Sequence, residues 1–394
     1  MSEYQPSRKA QWAVYIIVFA VSTAIAVVLF EIMMQQSRQG TVAMRVTTGA
    51  YGIFDDALGV RYEPDSSSSY AYLDSTGRVL ECLPSISKTN ADGYRGLDTQ
   101  ADYQAAAQRL LVSGDSFSHW NIDGKTIVDY TKTELNERGL SAALLNVAGG
   151  TFGLEHMVVH LADALETPGV ETPNLIAIQF IRDDITRDWW YLDTVEDSKG
   201  RPRARLSDSV ACLAADSGCG SDEYLIDARA TQSWCESRKG KTEPDAISTD
   251  LVATYDDLRG FFVYLRRALA RLGLVERQSV IPRVVDIAAT DTNRIQRAID
   301  VIKASGATVL LIYLPTSGEI APQQVYSFNA TENAVLAFYE QALGVNVIYP
   351  SDYDAFAGIE TFAVSPFDSH PSIELQQGYG RYLAALFAEA LDAP

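Results

Sequence analysis

Four polar clusters of the sequence combine residue types that catalyse reactions, and each of them borders an apolar run. Three follow predicted strands, at residues 114–118 (GDSFS), 146–151 (NVAGGT) and 182–184 (RDD). The fourth, at residues 368–372 (DSHPS), precedes the last predicted helix. Because open parallel sheets place their chemistry at the carboxyl ends of strands, we expect these clusters to meet at one edge of a sheet.

The first and last clusters together predict nucleophilic catalysis by a serine. A serine nucleophile needs a base within hydrogen-bond reach, and the base needs a group that orients it. Of the four histidines of the chain, only His370 has an acidic residue at hand, Asp368. His119 follows Ser116 too closely to turn back on it. The sequence therefore predicts Ser116 as nucleophile, His370 as base and Asp368 as its orienting group.

The remaining metal-ligating residue types favour no metal site. His156 and His160 are spaced i, i+4 on one predicted helix face, which suits a metal, but no acidic partner motif is near them. The four cysteines contain no CxxC pair, which argues against structural zinc. We predict neither a metal nor a cofactor.

Alternating apolar segments must position these clusters. Strands are predicted at residues 109–112, 142–147, 175–181, 308–314 and 345–349, and helices at 129–138, 153–165, 293–304, 331–343 and 379–391. Near-continuous apolar strands that alternate with helices indicate a parallel sheet covered on both faces. The predicted fold is therefore a three-layer α/β/α sandwich over residues 106–394.

Two further segments lie outside this alternation. Residues 186–283 hold Trp189, Trp190, three of the cysteines and a predicted helix at 251–274, and we interpret them as an insertion or lid. Residues 35–105 are rich in Ser, Asp, Gly and Tyr and form a lead-in segment, in which residues 62–72 are predicted as a loop or an edge hairpin.

The N-terminal region predicts a membrane anchor. Residues 10–30 carry no charge and as a helix would reach about 31 Å, roughly the thickness of the hydrocarbon core. The rival, a cleaved signal peptide, is less favoured because the run does not lead into a small-residue cleavage site. We predict a cytoplasmic tail and a single span over residues 1–34, with the rest of the chain periplasmic or extracellular.

That location bears on the cysteines, because an oxidising compartment permits disulfides. Cys212, Cys219 and Cys235 are close enough in sequence for one local disulfide. Cys82 would then pair with the remaining thiol or stay buried, and the sequence does not choose among the pairings.

Charge limits the partners. The chain has 32 basic and 51 acidic residues and a net charge of −19. It has too few cations to displace the counterions of a phosphate backbone, which excludes nucleic acid as a partner. Like-charge repulsion also argues against an anionic polymer, so a neutral or cationic glycan is the expected acceptor.

The four clusters, in this order along the chain, resemble the sequence blocks of the SGNH (GDSL-type) hydrolase family. Residues 90–96 (NADGYRG) are similar to the lead-in of its membrane-anchored members, and the resemblance covers residues ~50 to 394. It implies Ser116 as nucleophile and donor of an oxyanion-hole N–H, with His370 and Asp368 as base and orienting group. A second N–H would come from Gly150, or from Gly149 if the alignment slips by one.

The chain departs from the family pattern at two points. Asp183 stands where the family has an Asn that donates to the oxyanion, and loss of one such donor costs about 3 kcal/mol of transition-state stabilisation. Arg182 or a backbone N–H could compensate. The Asp-x-His spacing, in place of Asp-x-x-His, is similar to that of relatives that transfer acetyl groups to exported polysaccharides.

The sequence thus predicts a membrane-anchored serine esterase or O-acyltransferase that acts on acyl esters, such as the acetyl groups of exported glycans. The alternative is a catalytically degenerate subunit that serves as a scaffold for a membrane-protein partner. Aromatic residues just beyond the predicted strand ends would either stack on sugar rings or pack within the lid: Trp120, Trp189, Trp190 and Tyr191.

Overall fold

The computed structural model describes most of the predicted catalytic domain and parts of the segments before it. The described residues are 44–48, 53–55, 59–62, 64–73, 79–122, 124–150, 152–187, 191–196, 202–206, 292–320, 327–350, 353–365 and 368–392, with positions 15, 22, 23 and 26. The predicted helix at 251–274 and three cysteines, Cys212, Cys219 and Cys235, lie outside them.

Strands and helices alternate through the described part of the C-terminal region. The strands are β1 Met44–Thr48, β2 Ile53–Asp55, β3 Gly59–Arg61, β4 Ser67–Leu73, β5 Val79–Lys88, β6 Gln108–Gly114, β7 Ala142–Asn146, β8 Leu175–Phe180, β9 Tyr191–Glu196, β10 Pro202–Leu206, β11 Thr308–Tyr313, β12 Val347–Ile348, β13 Ala363–Ser365 and β14 Asp368–Pro371. The helices are α1 Gln100–Ala105, α2 Ser116–His119, α3 Ile127–Glu137, α4 Leu154–Glu166, α5 Thr292–Ala304, α6 Ser317–Ile320, α7 Ala330–Leu343 and α8 Ile373–Asp392.

The main sheet has five strands in the order β12-β11-β8-β6-β7, and every neighbouring pair is parallel. This confirms the predicted parallel α/β fold. The three strands β6, β7 and β8, which precede the predicted polar clusters, are almost fully buried along their length, which is why their sequences are continuous apolar runs. Their parallel direction brings the carboxyl ends of β6, β7, β8 and β11 to one edge.

Residues of each strand alternate between two apolar cores. In β8, Ile176 and Ile178 belong to one core with residues of α4, α5 and α7. Leu175 and Ala177 belong to the other, with residues of α3 and α8. Helices therefore cover both faces of the sheet, as a three-layer sandwich requires.

Two of the predicted elements differ from those in the structure. Residues 62–72, predicted as a loop or an edge hairpin, include most of the extended strand β4, Ser67–Leu73. Helix α8 begins at Ile373, six residues before the predicted start, because the Ser372 hydroxyl accepts a hydrogen bond from the Leu375 N–H at 3.1 Å and caps the helix. Ser372, the last residue of the fourth predicted cluster, is therefore a helix cap and not a catalytic residue.

The chain divides into two compact units, one made of Met1–Val46, Ala71–Cys82 and Cys235–Gln278, the other of Thr47–Tyr70, Leu83–Trp234 and Ser279–Pro394. The main sheet lies in the second unit. Cys82 is disulfide-bonded, so it is not a free buried thiol. In the part of the chain that the structure describes, we find no helix that is long and apolar enough to cross a bilayer, and most of the predicted span lies outside that part.

Candidate active site

Ser116, the predicted nucleophile, begins a short helix directly after β6, an interior strand of the main sheet. Asp115 caps this helix, since its Oδ1 accepts the Phe117 N–H at 2.9 Å. Ser116 is the first helical residue and is partly exposed, whereas Asp115 is fully buried. The strand end thus presents one accessible hydroxyl on a buried turn.

A buried polar network supports this turn from below. The Ser118 hydroxyl donates to Gln179 Oε1 of β8 at 2.7 Å, and Asn146 Nδ2 of β7 donates to the Ser118 carbonyl at 2.9 Å. A Cβ on Gly114 would lie 2.3 Å from Ser118 Oγ and 2.9 Å from the Gln179 carbonyl. Only glycine fits there, because the helix after β6 folds back closely onto the neighbouring strand.

The predicted base and its orienting group are in contact. His370 Nδ1 faces Asp368 Oδ1 in a short hydrogen bond, and the His370 backbone N–H also donates to that oxygen at 3.0 Å. Both residues lie on β14, which pairs antiparallel with β13. The arrangement leaves Nε2 as the ring nitrogen that can take a proton from a nucleophile.

Trp120 joins the base to the nucleophile's helix. Its ring stacks on the His370 imidazole with a centroid distance of 3.7 Å and an interplanar angle of 7°. The Phe117 ring lies 6.0 Å from the imidazole, centroid to centroid, and is tilted by 47° to it. Trp120 is buried, 1% exposed, so it is unsuited as an open platform for a sugar ring. Trp189, Trp190 and the side chain of Tyr191 lie outside the described residues.

In this structure the Ser116 hydroxyl donates to Asp115 Oδ2, at 3.2 Å. The acceptor is thus the capping carboxylate and not His370. Catalytic hydrogen bonds are often long or redirected in the absence of substrate, so this geometry describes a resting site.

The two glycines predicted as alternatives for the second oxyanion donor, Gly149 and Gly150, differ in the acceptors of their backbone N–H groups. The Gly149 N–H donates to the Gly114 carbonyl at 3.1 Å, which continues the pairing of β6 with the chain after β7. The Gly150 N–H instead donates to the phenolic oxygen of Tyr62 at 3.1 Å. Ser116 itself lies in the first helical turn, where N–H groups lack intrahelical acceptors.

The turn after β8 shows which carboxylate is buried. Asp183 is exposed, and Asp184 is fully buried. Solvent screens the exposed carboxylate, so its repulsion of an oxyanion is weaker than its sequence position suggests. Arg182 cannot compensate, because its guanidinium makes two 2.9 Å hydrogen bonds to the carboxylate of Glu332.

Two buried carboxyl groups share one arginine beneath the site. Arg187 Nη1 lies 2.7 Å from Asp184 Oδ1. Burial raises the pKa of Asp115, and the Arg187 charge opposes that shift. Burial raises the pKa of Asp184 well above its usual range, and the charge of Asp115 adds to the effect. The pair therefore resists full ionisation.

The other histidines are buried side chains. Burial holds the pKa of His119 well below its usual range, and the Arg95 charge adds to this, so the imidazole is neutral. His156 is likewise neutral through burial and accepts the Gly153 N–H at 3.3 Å, stacked on Phe152. Within the described ranges, no group of three or more His, Cys, Asp and Glu side chains could hold a metal ion.

Sequence reasoning did not find Tyr62, Gln179 or the role of Trp120. Tyr62 and Gln179 reach the site from positions 88 and 61 residues away from their partners, and no local spacing signals such contacts. A buried glutamine in an otherwise apolar strand, LIAIQF, was the one available signal for Gln179.

No family model and no curated protein matches the chain. Solved structures similar to it include the lipase/acylhydrolase from Enterococcus faecalis, at 15% identity over 72% of this chain and 94% of that one, with a TM-score of 0.31. The lipase Lip_vut3 from a goat rumen metagenome is similar at 11% identity over 71% of this chain and 97% of its own, with a TM-score of 0.27.

Proposed function

We propose that this protein is a serine esterase or O-acyltransferase that acts on acyl esters through Ser116, His370 and Asp368. The observation that carries the proposal is the contact of His370 Nδ1 with Asp368, in a ring that is stacked on Trp120, the residue directly after the helix that Ser116 begins. A helix cap alone would require neither the ring stacking nor the carboxylate contact.

The proposed reaction has two steps. Ser116 Oγ attacks the carbonyl carbon of the ester while His370 Nε2 takes the hydroxyl proton, and Asp368 stabilises the resulting imidazolium. The carbonyl electrons move to oxygen, which accepts hydrogen bonds from the N–H groups of Ser116 and Gly150. Collapse releases the alcohol, which His370 protonates. Water or a sugar hydroxyl then attacks the acyl-enzyme with His370 again as base, and the bond to Ser116 Oγ breaks as His370 returns a proton to that oxygen, which releases the acid or the acylated sugar.

A fluorophosphonate probe tests this chemistry. We expect the probe to label the wild-type protein and to leave Ser116→Ala unlabelled. Thermal unfolding is measured for both proteins, so that loss of label in Ser116→Ala can be separated from loss of the fold. A well-folded wild-type protein that is not labelled by the probe would refute the proposal that the protein is an enzyme.

That negative result would support the second candidate, a degenerate subunit that holds a membrane-protein partner. Two observations favour it over other non-enzymatic functions. The Ser116 hydroxyl donates to Asp115 instead of to His370, and Asp183 replaces the amide donor of the family pattern.

The molecule that accepts the acyl group, water or a sugar hydroxyl, distinguishes hydrolysis from transfer. We propose acetyl groups of exported, neutral or cationic glycans, on the grounds of the Asp-x-His spacing and the net charge of −19. Purified protein is incubated with an acetyl ester, with and without oligosaccharides, and the sugars are examined by mass spectrometry. Acetate release at one rate under both conditions, without acetylated sugar, would exclude transfer.

We further propose that residues 10–30 anchor the protein, with its catalytic domain on the periplasmic or extracellular side. Protease added to intact spheroplasts should digest the C-terminal domain. Full protection of that domain, with digestion after lysis, would reverse the proposed topology.

A further inference from the structure

The Gly150 N–H, a donor that the proposed reaction requires, points at Tyr62 in the structure. The phenolic oxygen of Tyr62 accepts this hydrogen bond at 3.1 Å. Tyr62 belongs to the lead-in segment and not to any of the four clusters. The lead-in thus contributes a side chain to the place where an oxyanion would form.

Two buried side chains hold the Tyr62 ring at this place. The guanidinium of Arg95 lies over the ring, 3.8 Å from its centroid, and the His119 ring lies 5.3 Å away. Arg95 is 2% exposed, and its backbone N–H donates to the Asn146 carbonyl at 2.9 Å, at the end of β7. The arginine that holds Tyr62 is therefore fixed to the strand that leads to Gly150.

The 90–96 segment builds this support. Asn90 Oδ1 accepts the N–H groups of Asp92 and Tyr94, both at 3.0 Å, which closes a tight turn. Gly93 has φ +83°, and a Cβ there would lie 2.7 Å from the Tyr62 carbonyl oxygen. The glycine lets the turn pack directly against the Tyr62 backbone, so this motif has a structural reason beyond its resemblance to a family lead-in.

A phenol differs from the lost Asn amide in being both acceptor and donor. In the resting site Tyr62 accepts from Gly150. An oxyanion formed beside Gly150 would accept the Gly150 N–H, and the phenolic O–H would turn to the same oxygen. The guanidinium over the ring draws electron density from it, which makes the O–H a stronger donor. Asp183, exposed and anionic, offers no such donor.

We propose that Tyr62 is a catalytic residue that donates its phenolic O–H to the oxyanion, in place of the amide that the family has at position 183. This inference rests on the proposed function. During attack by Ser116 the carbonyl oxygen gains the electron pair of the C=O π bond, and Tyr62 shares its proton with that oxygen without transferring it. When the carbonyl re-forms, Tyr62 returns to the Gly150 N–H.

Tyr62→Phe tests the proposal, because it removes the hydroxyl and keeps the ring between Arg95 and His119. With p-nitrophenyl acetate we expect kcat to fall about 100-fold, the range for one oxyanion donor, with KM within about twofold. Affinity for a boronic acid that forms a tetrahedral adduct with Ser116 should fall by a similar factor. Tyr94→Phe, the same change at a partly buried tyrosine of the lead-in, should match wild type in all three measurements.

Each other outcome overturns the proposal. An unchanged kcat would show that the hydroxyl does not act in the transition state, and a higher kcat would show that Tyr62 blocks Gly150 instead. A loss in Tyr94→Phe equal to that in Tyr62→Phe would show a general disturbance of the lead-in. Wild-type protein without Ser116-dependent turnover would refute the proposed function, and this inference with it, whereas active wild type with active Tyr62→Phe refutes this inference alone.

Discussion

The nucleophile half of the candidate site, residues 114–118, continues a buried strand of the main sheet, whereas the base half, residues 368–370, lies on a two-stranded antiparallel ribbon. Hydrogen bonds from β7 and contacts with β8 fix the first half. In the second half, His370 is held by two hydrogen bonds to the Asp368 carboxylate and by its stacking against Trp120. The sheet therefore determines where the hydroxyl lies, and side-chain packing determines where the base lies.

This difference predicts that a backbone change in the nucleophile half has the largest effect. Gly114→Ala places a Cβ against Ser118 and the Gln179 carbonyl, which are both fixed. We expect a loss of about 2–3 kcal/mol in the free energy of unfolding, together with loss of fluorophosphonate labelling.

Denaturant unfolding measures this change, and Gly318→Ala is the matched control. A Cβ at Gly318 would meet only Thr316 Oγ1, at 4.0 Å, and no stability should be lost. Equal stabilities for Gly114→Ala and wild type would show that the turn is looser than the sheet contacts imply.

In the base half we expect a smaller effect on catalysis, although Trp120 is 1% exposed and its replacement by a smaller side chain also leaves a cavity that lowers stability. Trp120→Leu removes the aromatic face on which the imidazolium of the reaction would rest, an interaction of about 1 kcal/mol. We expect kcat toward p-nitrophenyl acetate to fall about fivefold to tenfold with little change in KM, and Trp120→Phe to retain most of the rate.

The two variants separate stacking from simple filling of space. If Phe and Leu lose activity equally, the ring face is not what positions His370. If neither loses activity, the ribbon holds the base without Trp120, and the contrast between the two halves disappears.

The smallest expected effect is a change in how stability depends on pH. The folded-state pKa of Asp184 is raised by burial and by Asp115. The neutral form is thus favoured in the fold, so this group's contribution to stability is present at low pH and is lost as pH rises through the folded-state pKa. Asp184→Asn is neutral throughout, so its stability relative to wild type should increase from pH 4 to pH 8.

Thermal unfolding across that pH range checks this expectation. Asp163→Asn, which removes a partly exposed carboxylate paired with Arg61, is the control and should follow the wild-type curve. If the stability of Asp184→Asn and that of wild type change with pH in the same way, Asp184 does not contribute to the pH dependence of stability.

The same contrast explains what could be predicted from the sequence. The strands that carry the nucleophile half are buried apolar runs, so their ends located Ser116 and Gly150. His370 was found because Asp368 stands two positions before it in the sequence. No local sequence pattern predicts that Trp120 stacks on a histidine 250 positions later, or that Tyr62 contacts Gly150. Both contacts depend on how distant segments of the chain pack.

The order of strands in the main sheet has a consequence for how the chain can change. β8 and β11 pair in register, although about 130 residues separate the end of one from the start of the other. The entropy lost in closing a loop rises only with the logarithm of its length, so doubling such a connection costs about 0.6 kcal/mol. Evolution can therefore lengthen or shorten that connection at little thermodynamic cost, while β8 keeps Gln179 in contact with the turn that carries Ser116.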